Sequence, residues 1–355
     1  MREQIDPLGA EADMDTSILG ILSQIAPDLM EEMELRALIL ERVAALEPIG
    51  RRALAARLNL TEREVRAAAE ALKAANCLTQ SAAGMELTAQ GLRLVDTARA
   101  VSRGRRTLQS MEQTLARKLG ARRVCIVSGD SDLDPSVLGE VARAAARQLR
   151  PLLQDAHVLA VSGGRTIAMT AEALTEAAPM DITVVPAQGG MGTGVRTQAN
   201  TQAELLARKL GGCHRLLHLP DGLAPDAADR LMRLPQVREV LELLRGADVL
   251  LYGIGRAQDI AARRGVGPAE REALLREGAV AEALGFYFGA QGRVIGGGRS
   301  LALDAQSLGR GSRAAAVAAG CSKAEAIVAV CAHHPHSLLV TDEGAAQRMM
   351  ELLRV

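Results

Sequence analysis

The run from His157 to Val161 ends without a spacer on Ser162-Gly163-Gly164, and Arg165 to Ala177 then takes up helical spacing. A strand that turns on two glycines directly into a helix opens a βαβ unit, so the chain needs a parallel sheet to receive it. The same turn aims free N–H groups and the positive end of the helix dipole outward, which is how proteins seat a phosphate. Taken alone, it serves packing equally well, because doubly wound sheets need glycine where helix and strand approach closely.

The turn does not stand alone. From Val124 onward short apolar runs alternate with helix-like stretches, and strands are expected at 123–127, 158–161, 182–185, 215–219, 249–252, 314–318 and 338–340. This alternation predicts an α/β domain, a doubly wound, mostly parallel sheet with helices on both faces. Ligands in such sheets lie beyond the carboxyl ends of the strands, where the Gly-rich turns fall.

Upstream the pattern differs. Residues 1–16 read as a disordered leader, and a first helix is expected from Ser17 to a break at Pro27. Leu35, Leu38, Ile39, Val43 and Leu46 keep helical spacing up to Pro48-Ile49-Gly50. A short helix follows from Arg51 to Leu58, then a second after Thr61, whose Thr61-Glu62-Arg63-Glu64 start is a capping box. Leu78 to Gln80, a turn at Gly84 and Met85 to Leu87 form a small hairpin. Helix, helix, helix, hairpin is the order of a winged helix-turn-helix. Thr88 to Leu119 lacks proline and reads as a connecting helix with room for a break at Gly104. The expected domains are a partly disordered leader (1–30), a winged helix-turn-helix domain (31–88), a connecting helix (89–119) and an effector domain (120–355).

Net charge is zero, so any pull on DNA must be local. Residues 51–80 carry six basic against three acidic side chains, and residues 93–123 carry nine against two. On the helix after Thr61, Val65, Ala69 and Leu72 share one face, while Arg63, Arg66, Glu70 and Lys73 share another. The N-terminal part of a recognition helix meets base edges. Arg63 and Arg66 are therefore candidate base or phosphate contacts, Arg51, Arg52 and Arg57 candidate backbone contacts, with Thr61 and Lys73 completing the set. A solvated charged face is the plain alternative. The two Tyr, two Phe and absent Trp argue against single-stranded nucleic acid, which needs aromatic platforms, and leave duplex DNA open.

The five cysteines show no C-x-x-C spacing and are expected as reduced, buried thiols in a cytoplasmic protein. No apolar run is long enough for a membrane span, and no signal peptide is expected.

Four loops at strand ends are expected to converge. They are Ser162 to Thr166, Pro186 to Gly190 with Thr197-Gln198-Ala199-Asn200 behind it, Gly253-Ile254-Gly255 ahead of Arg263 and Arg264, and Gly320 to Glu325. The amide side chains Gln198 and Asn200 suit hydroxyls. Ser322 is expected to cap a helix with Lys323 in its first turn, where an anionic partner would offset the dipole; a solvent-exposed lysine is the alternative. Glu282, an acid in an apolar run, fits sugar hydroxyls or a helix cap. His333, His334 and His336 surround Pro335 without an acid or thiolate cluster and are expected in a surface loop, so no metal is expected.

These residues resemble the SorC-type transcriptional regulator family, and within it the regulators of central glycolytic genes. The matching stretches are Glu47 to Arg52, Ser128 to Asp132, Val161 to Gly164, Gln198 to Asn200 and Gly253 to Gly255. They continue with Glu282 to Phe288, Ser322 to Ile327 and Val340 to Ala346. The resemblance implies a repressor of a glycolytic operon whose hold on duplex operator DNA is relieved by a sugar phosphate, fructose 1,6-bisphosphate. It implies an effector domain similar to the sugar-phosphate isomerase and deaminase fold, and a homo-oligomer, dimer or tetramer, that needs no cofactor. The effector site it implies comprises Gly163, Gly164, Arg165, Thr166, Gln198, Arg263, Glu282 and Lys323. Two positions depart. Gln188 stands where the family carries arginine, which weakens a phosphate clamp, and Arg165 stands where the family carries threonine, which restores a cation.

The competing class is a sugar-phosphate isomerase or deaminase-like enzyme, with Asp130, Asp132 and Glu282 as available carboxylates. Such chemistry needs an acid–base pair at the strand ends. The related deaminases follow Gly-Ile-Gly with Asp-Gly-His, whereas Arg256-Ala257-Gln258 follows here. No catalytic residue is assigned. A DNA-binding structural protein with a ligand-free domain is the third reading.

Overall fold

A computed structural model of the chain describes residues 27–176, 178–190, 194–220, 225–295 and 313–355. The expected leader and the helix from Ser17 lie outside these up to residue 26. The chain divides into two compact units, with the boundary after Thr107.

The first unit comprises helices α1 (Pro27–Leu46), α2 (Arg51–Leu58) and α3 (Glu62–Ala74), strands β1 (Leu78–Gln80) and β2 (Met85–Leu87), and the start of α4 (Ala89–Leu119). Pro48 halts α1, because its ring and missing N–H cannot continue the ladder. Asn59 closes α2 in the left-handed region at φ 52, returning its N–H to Ala55. On α3, Val65, Ala68, Ala69 and Leu72 are buried and pack with Ile39, Val43, Leu54, Leu78 and Met85. The hairpin pairs Leu78 with Leu87 and Gln80 with Met85. Its Gly84, at φ +145, lies so close to Ile49 that a Cβ would stand 2.7 Å from that backbone. The winged helix-turn-helix order is therefore observed. Helix α4 runs through Gly104 without the break that glycine would permit.

The second unit holds a seven-stranded sheet ordered β3 (Val124–Val127), β13 (Leu338–Asp342), β12 (Arg313–Val317), β7 (Val249–Gly253), β4 (Val158–Val161), β5 (Thr183–Pro186), β6 (Cys213–His214). Every pairing in it is parallel. Side chains alternate between two cores, as the two-residue strand period demands. Leu159, Val161, Leu251 and Val317 enter one core with α5 (Ser136–Leu152), α6 (Arg165–Ala173) and α7 (Ala199–Leu210). Ala160, Leu250, Tyr252 and Ala316 enter the other with the end of α4 and helices α9 (Pro235–Arg245) and α12 (Ala324–His333).

The expected strand at 215–219 is instead Cys213–His214. Leu217 there bonds the Asn200 side chain rather than a strand, its N–H donating to Oδ1 at 2.9 Å. The Cys213 strand lies at the sheet edge with an exposed side chain, which corrects the expectation of a buried thiol. Helix α6 ends at Ala173 rather than Ala177, and Ala177 lies outside the described residues.

A second, four-stranded sheet lies beyond what the strand pattern predicts. Its order is β11 (Val294–Ile295), β10 (Phe286–Gly289), β9 (Ala279–Ala283), β8 (Gly255–Arg256), all antiparallel. The alanines of β9 read locally as helix formers. The hairpin is made by a two-residue turn in which Leu284 (φ 54) and Gly285 (φ 93) both take positive φ, and leucine carries no signal for that.

Candidate functional site

Strands β4, β5 and β6 step toward one edge of the large sheet, and β7, β12 and β13 step toward the other. Neighbours β4 and β7 pair through Leu159–Val249 and Val161–Leu251, so a crevice opens at their carboxyl ends, where the winding reverses. A cavity of about 360 Å³ occupies it, lined by the loops after β4 and β7, by Gln188 after β5 and by Lys323. The expected convergence of four strand-end loops is observed.

Helix α6 begins at Gly164, whose φ of 108 is a conformation for glycine, and no side chain caps it. Its first N–H groups are thus left for whatever occupies the cavity. Gly163 is required by contact: a Cβ there would collide with the Thr197 carbonyl oxygen, which accepts the Gly164 N–H at 2.9 Å.

Four cations, Arg165, Arg263, Arg264 and Lys323, line the cavity with two carboxylates, Asp259 and Glu282. Both carboxylates are engaged. Glu282 Oε1 accepts from Arg264 Nη2 at 2.9 Å and from the Gly285 N–H at 2.7 Å. Asp259 accepts from Arg256 Nε at 2.7 Å. Burial pushes the Glu282 carboxyl upward, and the Arg264 guanidinium opposes that shift. Lys323 is held below its ordinary value, first by burial and then by the positive charges of Arg165 and Arg263. Arg165, Arg263 and Lys323 thus face a common space with no carboxylate in ion-pair range among the described residues.

Eight of the nine expected effector residues line the cavity: Gly163, Gly164, Arg165, Thr166, Gln188, Arg263, Glu282 and Lys323. Gln198 is not among the lining residues; it stands at the N-cap of α7, behind the Thr197 carbonyl. Asn200 is committed to the Leu217 backbone, which corrects its expected role toward hydroxyls. Ser322 caps no helix with its side chain, and Lys323 is the N-cap of α12 rather than part of its first turn. The amides of Gly320, Cys321 and Ser322 already donate to Asp342, Asp130 and Asp132. Hence only the Lys323 side chain faces the cavity from that loop. Asp259 and Ile260 also line it; no motif marks them in the sequence, although they lie one helical turn before Arg263 and Arg264.

His334 and His336 overturn the surface-loop expectation. They are 7% and 2% exposed, and both Nε2 atoms share the hydroxyl of the fully buried Tyr252. Among the described residues no group of acids, thiols and imidazoles has the arrangement of a metal site.

In the first unit the capping box is formed: Glu64 N–H donates to Thr61 Oγ1 at 3.2 Å, and Thr61 N–H donates to Glu64 Oε2 at 2.8 Å. The Thr61 side-chain hydrogen bond holds the Glu64 carboxyl below its usual range. Arg63, Arg66 and Lys73 are exposed on α3, and Arg57 on α2. Arg51 and Arg52 lie 3.9 Å and 3.4 Å from Glu70 and Glu62.

The family model described as "Putative sugar-binding domain" matches residues 106–351, and that described as "CggR N-terminal DNA binding domain" matches residues 33–102. The chain is 36% identical to the central glycolytic genes regulator of Bacillus subtilis over 92% of its own length and 96% of that protein. The chain belongs to the SorC-type family of central glycolytic gene regulators. A second such regulator, from Priestia megaterium, is 35% identical over 94% of this chain and 98% of its own. The crystal structure of a SorC-family transcriptional regulator from Enterococcus faecalis, 33% identical, covers 68% of this chain and 99% of its own with a TM-score of 0.63. The full-length sorbitol operon regulator SorC from Klebsiella pneumoniae shares the fold at 18% identity, with a TM-score of 0.64 over 91% of this chain and 99% of its own. As a family member, the chain is a transcription regulator with an N-terminal DNA-binding domain and a sugar-binding domain. No helix among the described residues is long and apolar enough to cross a membrane.

Proposed function

We propose that this chain represses a glycolytic operon and that a sugar phosphate, fructose 1,6-bisphosphate, releases it from operator DNA. The observation that carries this reading is the cluster of Arg165, Arg263 and Lys323 around the uncapped start of α6. Arg165 and Arg263 are exposed and Lys323 is half-buried; like charges gathered in this way repel one another, and a dianion relieves the repulsion while accepting from the free α6 amides. A bisphosphate supplies two such groups, one for the α6 turn and Arg165, one for Arg263 and Lys323. Glu282 and Gln188 present acceptor and donor groups to the hydroxyls between them.

In the DNA-binding domain, Arg63 and Arg66 contact the duplex from the first turns of α3, supported by Arg51, Arg52, Arg57 and Lys73, while Thr61 fixes the helix start. The protein acts as a homo-oligomer, dimer or tetramer, in the cytoplasm, with α4 as the transmitting element. Release requires that the effector prefer one arrangement of the oligomer, with a coupling of about 1–3 kcal/mol. Neither catalysis nor a cofactor is part of this reading, since the carboxylates at the strand ends are bound by Arg264, Arg256 and backbone amides.

The test is fluorescence anisotropy of an operator duplex selected from a random pool, titrated with glycolytic sugar phosphates. Release by fructose 1,6-bisphosphate at lower concentration than by hexose monophosphates supports the reading. An unchanged complex across the whole panel sinks it.

A further inference from the structure

At the opposite end of the large sheet lies a second cavity of about 350 Å³, lined by Arg122, Arg123, Gln148, Pro151, Leu152, Arg313, Ser337 and Leu338. Three of these are arginines and none is acidic, a stronger positive bias than in the effector cavity. The arginines are placed by the fold. Leu339 N–H donates to Arg123 O at 3.0 Å, Arg122 N–H to His336 O at 2.8 Å, and Arg313 N–H to Asp248 O at 2.8 Å. Arg123 precedes β3 and Arg313 opens β12, with β13 between them. Neighbouring strands are roughly 4.8 Å apart and the register sets Arg313 two residues below Arg123, so the two backbones stand about 12 Å apart. That gap suits two guanidinium groups closing on one tetrahedral anion from either side. Ser337 and Gln148 add a hydroxyl and an amide.

Asp248 offsets Arg313 at longer range, since that arginine helps to hold the Asp248 carboxyl below its usual value, after the His157 and Val158 N–H groups. No carboxylate lies in ion-pair range of Arg122, Arg123 or Arg313 among the described residues. Asp248 spends one carboxylate oxygen on the His157 and Val158 N–H groups, at 2.8 Å and 2.9 Å. Arg122 and Arg123 also belong to the basic stretch that sequence alone attributes to DNA binding. They fall in the second unit, beyond residues 33–102 where the DNA-binding family model matches. Their charge therefore awaits another use.

The geometry points to a second anion site, in which Arg122, Arg123 and Arg313 bind a compact phosphate-bearing ligand at the amino-terminal ends of β3 and β12. This site is separate from the effector cavity and does not rest on the identity of the effector. The bound group is a phosphate dianion, supplied either by free phosphate or pyrophosphate or by a small phosphorylated metabolite.

The test is equilibrium dialysis of pyrophosphate against the full chain, the K323M variant and the R123Q/R313Q variant. K323M is expected to keep one saturable class of sites. Combining K323M with R123Q/R313Q is expected to weaken that class about tenfold or more, since each lost charged contact contributes at about that level. R123K/R313K keeps the charge and checks that the loss is not misfolding; it should retain weakened binding. Phosphate and fructose 1,6-bisphosphate, used as competitors in K323M, tell the two sources of the group apart. Absence of a saturable site in K323M, or binding indifferent to R123Q/R313Q, overturns the proposal. Displacement of pyrophosphate from that site by operator duplex overturns it as well, by assigning these arginines to the DNA backbone.

Discussion

Arg264 Nη2 lies 2.9 Å from Glu282 Oε1 on the wall of the cavity between β4 and β7, with side chains only 13% and 8% exposed. The pair joins the helix segment after β7 to the hairpin of the small sheet. Because the same Glu282 oxygen also accepts the Gly285 N–H at 2.7 Å, one carboxylate stabilises both the turn and the cavity.

Arg264→Met should therefore be costly. It strands a buried carboxylate, and breaking a buried pair costs about 3–5 kcal/mol. Urea unfolding should show the loss, and Glu282→Gln in the same background should recover part of it by removing the uncompensated charge. Additivity of the two substitutions would contradict the pairing.

Lys323→Met should leave operator binding intact and abolish its response to fructose 1,6-bisphosphate. Without ligand the variant should be at least as stable as the parent, because a desolvated lysine held near Arg165 and Arg263 opposes folding. Anisotropy and thermal unfolding measure the two effects. Normal release of operator by the variant would remove Lys323 from the site.

Arg66→Ala should weaken operator binding by about tenfold and reduce the salt slope by about one if its partner is a phosphate, or relax specificity at one position if its partner is a base. Sugar-phosphate binding, read by thermal shift, should persist. Loss of both would mean that the substitution damages the fold instead.

Stability should fall in mild acid. Burial lowers His334 to about 4, and burial together with His334 lowers His336 to about 3. The unfolded chain takes up protons on these rings below about 6.5, whereas the folded chain does not until about 4. The stabilisation they provide is complete above 6.5 and declines as pH drops from there toward 4. Urea midpoints at pH 7 and pH 4.5 measure it. A His336→Phe variant should show a shallower decline, and an equal slope would exclude the rings as its source.

Much of the organisation was legible locally. The capping box at Thr61, the stop at Pro48, the turn at Gly84 and six of the seven large-sheet strands each follow from neighbouring residues whose backbone or patterning preferences agree. The misreadings share another cause. Cys213–His214 pairs at an edge, where burial leaves no apolar imprint. The Ala279–Ala283 strand consists of residues that favour helix in isolation, and is overruled by a positive-φ turn at Leu284. His334 and His336 looked like a polar loop because their partner, Tyr252, is more than eighty positions away in sequence.

Sequence alone determined the alternation of strands and helices, the capped start of α3 and the chemistry available at each strand end, because these depend on residues within a turn or two of one another. Tertiary structure decided which of those chemistries meet. Strand order places the Ser162 and Gly253 loops side by side at the reversal of winding. The small sheet delivers Glu282 to Arg264, and carboxylates claim the Gly320 to Ser322 amides so that Lys323 alone reaches the cavity. Such meetings depend on contacts between distant segments, and no local preference encodes them.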